Sequence, residues 1–198
     1  MQLSGLVLSG GYSSRAGFDK GLFFSEGLIR IKEARDLLLR ICDKAYISIR
    51  KEQKELYLSH IPAENLVFDE PFGEGPLKGI LSTHHQHPDS DFLVLAVDLL
   101  DINEEILTNL VDIYSTKPNY TCYVYQNTNQ KIEPLCTIYR KEFLQDLFSK
   151  IQTLENYSLY SFIQKSHTYY LKLSSENKSY FQNYNTSEDF QHFKRGSG

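Results

Sequence analysis

The stretch Leu6-Val7-Leu8-Ser9-Gly10-Gly11-Tyr12-Ser13-Ser14-Arg15-Ala16-Gly17-Phe18-Asp19-Lys20 sets the reading of the whole chain. An apolar run, expected as a buried strand over 3–9, breaks into a Gly-Gly pair and is followed by two cations, Arg15 and Lys20. Glycine lets backbone N–H groups converge on an anion, and Arg and Lys supply countercharge, so the pattern suits a loop that holds phosphates. The spacing excludes two familiar alternatives, because neither G-x-x-x-x-G-K-[ST] nor G-x-G-x-x-G is present. An ordinary strand-to-helix turn carries similar residues, so the motif needs support from the rest of the chain.

Working outward, strand-like and helix-like segments alternate. A helix is expected over 31–42, where Ile31, Ala34, Leu38 and Ile41 recur at spacings of three and four. Further strands are expected at 45–49, 66–68, 92–97 and 121–125, and helices at 76–85, 104–114 and 141–150, with a short helix in the polar stretch after residue 49. Phe92–Val97 is a continuous apolar run, the mark of a strand covered on both faces, and Pro76 suits the first turn of a helix. The expected fold is α/β: a single domain over 1–195, a mostly parallel Rossmann-like three-layer sandwich. The region from Tyr157 on is read as an elaboration of that domain, and Gly196-Ser197-Gly198 as an appended tail.

Ligands in such sheets sit at the carboxyl ends of the strands, so functional polar residues should follow strand ends. Asp69 follows 66–68 and Asp98 follows 92–97. A carboxylate placed there can hold Mg2+, although it can equally cap a helix or close a turn. The net charge of −4 and the absence of a basic tract argue against nucleic acid as a partner. Cys42, Cys122 and Cys136, widely spaced and odd in number, fit buried thiols of a cytoplasmic protein. No apolar stretch is long enough to cross a bilayer. His84, His85 and His87 are read as a solvated helix end rather than a metal site. The fourteen tyrosines are read as packing residues.

Five ordered elements resemble the nucleotidyltransferases that make molybdenum cofactor dinucleotides, most closely the guanylyl branch. The opening stretch is similar to L-A-G-G-x-S-x-R-M-G-x-D-K, with Ser9 and Ala16 as departures. Glu74–Ile80 matches G-P-L-x-G, Glu133–Tyr139 resembles E/H-P-L-x-x-x-Y, and Asn183–Phe190 resembles N-x-N-T-P-E-D-L. The strand ending at Asp98 corresponds to a D-x-P element, but here Asp98-Leu99-Leu100 lacks the proline. Asp101 is a possible substitute carboxylate nearby.

The resemblance implies a fold of the nucleotide-diphospho-sugar transferase type. It implies transfer of GMP from GTP to molybdopterin with release of pyrophosphate, Mg2+ as cofactor, and transient partner proteins that deliver the pterin. It assigns Arg15, Lys20 and Asp98 to catalysis, with Asp98 also as metal ligand. Leu8, Ser9, Gly10, Gly11, Lys20, Asp69 and Asp98 are assigned to the nucleotide, and Asn183 and Asn185 to the pterin. Two alternatives remain open: a related transferase using another base or acceptor, and a non-catalytic nucleotide-binding member of the family.

Overall fold

A computed structural model of the 198-residue chain describes residues 2–11, 19–22, 24–25, 28–153, 156–174 and 176–181. Its centre is a seven-stranded sheet in the order β5-β4-β1-β6-β8-β7-β9. These strands are β1 (Gln2–Leu8), β4 (Ala45–Ile49), β5 (Leu66–Phe68), β6 (Ser90–Ala96), β7 (Cys122–Gln126), β8 (Ile132–Tyr139) and β9 (Thr168–Lys172). A separate short hairpin pairs β2 (Phe24–Ser25) with β3 (Leu28–Ile29). The helices are α1 (Arg30–Leu39), α2 (Lys54–Leu58), α3 (Pro76–Gln86), α4 (Glu104–Thr116), α5 (Lys141–Lys150) and α6 (Leu159–Lys165).

β1 pairs in parallel with both β4 and β6, and β4 pairs in parallel with β5. All strands of the large sheet run the same way except β8, which is antiparallel to β6 and to β7. The expectation of a mostly parallel sheet holds. The expected strands and helices fall within a few residues of the observed ones, and α5 coincides with its expected range.

Helices cover both faces because the apolar strands alternate between two cores. Val7, Leu93 and Leu95 pack with Ile31, Ala34 and Leu38 of α1 and with Ile106, Leu107 and Leu110 of α4. Leu6, Phe92 and Val94 point the other way, against Leu77, Ile80 and Leu81 of α3, Leu144 and Leu147 of α5, and Ile163 of α6. The period-2 geometry of a strand thus divides the run at 92–95 between two layers. Cys42, Cys122 and Cys136 are free and buried, as expected.

Four features have no counterpart in the sequence pattern: the β2–β3 hairpin, β8, α6 and β9. β8 carries Pro134, which lacks an N–H and argues against a central strand. The pairing accommodates it at an irregularity, where the β7–β8 register shifts between Val124 and Gln126. β9 is short and rich in tyrosine, and the structure pairs it in parallel with β7 at the sheet edge.

At Gly5 the backbone of β1 meets α1 so closely that an added Cβ would lie 2.8 Å from Leu38 Cβ. Gly5→Ala is therefore expected to overpack this contact and lower stability by about 1–3 kcal/mol in urea unfolding. An unchanged midpoint would show that α1 can shift freely on the sheet.

Candidate active site

The parallel strands β1, β4, β5 and β6 end along one rim, and the residues just past them enclose a cavity of about 380 Å³. β1 contributes Leu8, Ser9, Gly10 and Gly11; β4 and its following turn give Ser48, Arg50, Lys51 and Glu52. β5 leads to Asp69, and β6 to Ala96, Val97 and Asp98. The start of α3 adds Gly75, Pro76, Lys78 and Gly79, and Lys20 and Leu135 complete the lining. Pro76 opens α3 at its first turn, so the positive end of that helix's dipole faces the cavity.

Lys20 reaches the cavity from a segment anchored by the residue before it. The Asp19 carboxylate accepts hydrogen bonds from the Tyr57 hydroxyl at 2.7 Å, from Gln53 Nε2 at 2.6 Å and from the Gly21 N–H at 3.0 Å. Gln53 Nε2 also donates to the Ser9 carbonyl at 3.1 Å. Since the single Tyr57 proton goes to Asp19, the Ser9 hydroxyl donates to the Tyr57 oxygen across 2.6 Å. The network ties the residue next to Lys20 back to the end of β1. Burial, reinforced by Asp19, holds the Tyr57 phenol well above its ordinary pKa, so it remains a donor.

On one side of the cavity lies Asp69, whose carboxylate accepts the Ser48 hydroxyl at 2.6 Å. Burial raises the Asp69 pKa, and the Ser48 bond, Lys78 and Arg50 oppose that rise. A Cβ on residue 10 would meet Asp69 Oδ2, so glycine is required where the loop passes the carboxylate.

On the other side, Lys20 Nζ pairs with Asp98 Oδ2 at 3.1 Å. Both side chains are largely shielded, at 15% and 21% exposure, so the pair is stronger than a solvated one. β8 brings Glu133 to the same edge. Burial, and then the Asp98 charge, push its carboxyl up to about 7, against the opposing pull of the Leu135 N–H at 3.3 Å. Among the described residues no group of three or more His, Cys, Asp or Glu side chains is placed to hold a metal ion by itself. One or two carboxylates beside a cavity of this size nevertheless fit the way Mg2+ is usually held, by few protein ligands together with substrate phosphates and water.

The structure brings together seven residues singled out in the sequence: Leu8, Ser9, Gly10, Gly11, Lys20, Asp69 and Asp98. Arg15, Asn183 and Asn185 lie outside the described residues. The histidines are not all solvated. His84 is buried and its pKa is lowered by burial, while His87 stacks on Tyr46 and His85 on Phe148. They pack the far end of α3 and do not line the cavity. Sequence reasoning misses Ser48, Arg50, Lys51 and Lys78, although three of these lie at or just past the end of β4, where functional residues of such sheets gather. Nothing in the sequence signals the Tyr57–Asp19–Gln53 network.

A cavity of nucleotide size at the carboxyl rim of an α/β sheet, with a glycine turn, a lysine and a strand-end aspartate, suits a nucleotide-handling enzyme of the nucleotidyltransferase class. The chain belongs to the MobA-like NTP transferase domain family, whose model matches residues 5–169. It is 32% identical over 196 residues to a protein of Methanocaldococcus jannaschii named "Probable molybdenum cofactor guanylyltransferase", covering 94% of this chain and 96% of that protein. It is 31% identical over 191 residues to the "Molybdenum cofactor biosynthesis bifunctional protein" of Synechocystis sp., covering 95% of this chain. The match spans about half (52%) of that longer relative. The crystal structure of molybdopterin-guanine dinucleotide biosynthesis protein A from Archaeoglobus fulgidus shares the fold, with a TM-score of 0.78, 19% identity and 98% coverage of both chains. The fold is that of the nucleotide-diphospho-sugar transferases.

Two outcomes test this geometry. Tyr57→Phe deprives Asp19 and Ser9 of their shared partner and should cost about 1–3 kcal/mol in urea unfolding; a neutral result would mean the network is not closed in solution. For Asp69, the folded protein holds a proton across a window in which the unfolded chain has already lost it. Stability from this group is therefore fullest below the ordinary carboxylate range and falls as pH rises through the raised folded value. Asp69→Asn should gain melting temperature over the wild type more at pH 7 than at pH 4, and an equal difference at both would contradict the raised pKa.

Proposed function

We propose that this chain transfers GMP from GTP to molybdopterin in the cytoplasm, releasing pyrophosphate in a Mg2+-dependent reaction. The observation that carries the proposal is the Lys20–Asp98 pair facing the Gly10-Gly11 turn across one cavity. The named activity of the relatives supports the choice of base and acceptor, which cavity shape alone leaves open.

The chemistry sets an anion against an anion. An oxygen of the pterin's terminal phosphate attacks the α-phosphorus of GTP; the new P–O bond forms as the α–β bridging bond breaks, and pyrophosphate leaves. The attacking phosphate is already ionised near neutral pH, so no protein base is required. The enzyme contributes position and charge neutralisation, from which most of the acceleration of phosphoryl and nucleotidyl transfer comes. The N–H groups of the glycine turn orient the phosphates, Lys20 offsets charge on the leaving group, and Arg15 is assigned the same task. Asp98 would hold Mg2+, which when bound screens the charge on the phosphates. Asp69, with Ser48 beside it, is assigned to the guanine or its ribose, offering acceptor and hydroxyl. Asn183 and Asn185 are assigned to the pterin, whose polar edge suits amides that both donate and accept. Proteins that deliver the pterin would dock transiently.

Lys20→Ala and Asp98→Ala are each expected to lower turnover at least about 100-fold while the far-ultraviolet spectrum stays native. The assay is Mg2+-dependent pyrophosphate release from each of the four nucleoside triphosphates, with and without molybdopterin. GTP-specific, pterin-dependent release supports the proposal. Release with CTP would move the chain to a cytidylyl activity, and full turnover in either variant would overturn the assigned roles.

A further inference from the structure

The turn that carries Asp98 is held from behind by a residue that does not line the cavity. Arg30 opens α1, and its side chain is buried, with the residue only 7% exposed. Its guanidinium turns toward the segment after β6. Nε donates to the Val97 carbonyl at 3.3 Å and Nη2 donates to the Leu99 carbonyl at 2.9 Å. The two acceptors are the residues on either side of Asp98. The third nitrogen, Nη1, pairs with Glu33 Oε2 at 3.2 Å, and Asp101 and Asp98 add attraction from further away.

A buried guanidinium is costly unless its donors are used, so this position calls for a structural gain. The backbone shows what is gained. The Val97 N–H donates to the Leu8 carbonyl at 3.2 Å, and the Leu99 N–H closes a turn onto the Ala96 carbonyl at 3.2 Å. Asp98 is the third residue of that turn, and its carboxylate accepts from Lys20 Nζ on the cavity side. The sequence Ala96-Val97-Asp98-Leu99-Leu100 contains neither proline nor glycine to fix the turn locally. The planar fork grips the carbonyl of the peptide before Asp98 and that of the peptide after Leu99, while the Leu99 N–H bond to Ala96 holds the peptide between them, and together these set the direction in which the Asp98 carboxylate leaves the backbone. Lysine, with one point charge, lacks that two-pronged geometry.

We propose that Arg30 is a positioning residue for Asp98, clamping the Val97 and Leu99 carbonyls so that the carboxylate stays aimed into the cavity in place of a proline-stiffened turn. This rests on the reading of Asp98 as the carboxylate that serves the metal-bound nucleotide.

The test uses the full chain and four proteins: wild type, Arg30→Lys, Arg30→Met, and Arg30→Met combined with Leu100→Pro. Each is measured for thermal unfolding, for Mn2+ affinity by electron paramagnetic resonance in the presence of a non-hydrolysable GTP analogue, and for kcat and KM of pyrophosphate release. Loss of a group that orients a metal carboxylate typically costs about 10- to 100-fold in metal affinity or activity. Arg30→Lys and Arg30→Met should each show a loss of that size in Mn2+ affinity and in kcat, with KM for GTP nearly unchanged. The proline variant should recover Mn2+ affinity and kcat even where the melting temperature stays low, a separation that a purely structural role would not produce.

Arg30→Lys keeps the charge and provides the decisive comparison should the methionine variants fail to fold. Variants that melt earlier but bind Mn2+ and turn over as the wild type does would overturn the proposal. A wild type that neither binds Mn2+ with the analogue nor releases pyrophosphate would instead remove the functional reading beneath it, a result distinct from the first.

Discussion

The register of three parallel strands is the constraint on which the site depends. Leu8 stands opposite Ser48 on one side and Ala96 on the other, so β1, β4 and β6 expire at the same height. Because side chains on a strand alternate strictly between faces, a slip of one residue would reverse every side chain of β1 and empty both cores at once. The buried apolar pattern therefore enforces the register, and the register delivers Ser9, Arg50 and Asp98 to a common edge. Hydrophobic packing that has no chemical role of its own fixes the distances on which the chemistry relies.

Charge at that edge is arranged on an acidic protein. The chain carries a net charge of −4, yet Lys20, Arg50, Lys51 and Lys78 converge on the cavity, interleaved with Glu52, Asp69 and Asp98. A cationic patch within an overall negative field favours small polyanions. The Lys20–Asp98 pair shows how such a cavity keeps its charges compensated within the protein. Asp19, next in the chain to Lys20, is tied by a separate network to Tyr57, Gln53 and Gly21, so neighbouring residues of opposite charge have distinct partners.

Much of the architecture is legible in the sequence because the relevant signals are local. The run at 92–97 and the Leu-Val-Leu before Ser9 announce buried strands, and the glycine pair announces the turn between strand and site. Asp69 and Asp98 follow from a topological rule that needs only the strand ends. What resists reading involves contacts between distant segments. Tyr57 and Asp19 are 38 residues apart, and no pattern of hydrophobicity marks a phenol that will reach a carboxylate. Arg30 has the look of an ordinary charge at the start of a helix, whereas its partners are 67 and 69 residues further on. β8 is hidden by Pro134, which is compatible with a strand only because the pairing there is irregular. His84 reads as solvated because its helix ends nearby, yet it is buried, with Phe148 of α5, from a different part of the sequence, among its neighbours.

β8 runs against its neighbours, and so the two halves of the cavity edge have opposite chain polarity. One half is built where strands finish, the other where a strand begins, with Glu133 and Leu135 near the start of β8, just past the loop that joins it to β7. Insertions or deletions in that hairpin would be absorbed ahead of β8 and would leave β1, β4 and β6 untouched. Under the proposed function the arrangement would uncouple two tasks: the β8 edge could be remodelled toward a different acceptor while the strand-end edge kept its contacts with the triphosphate. A single scaffold can in this way diversify its products without rebuilding the part that activates the donor.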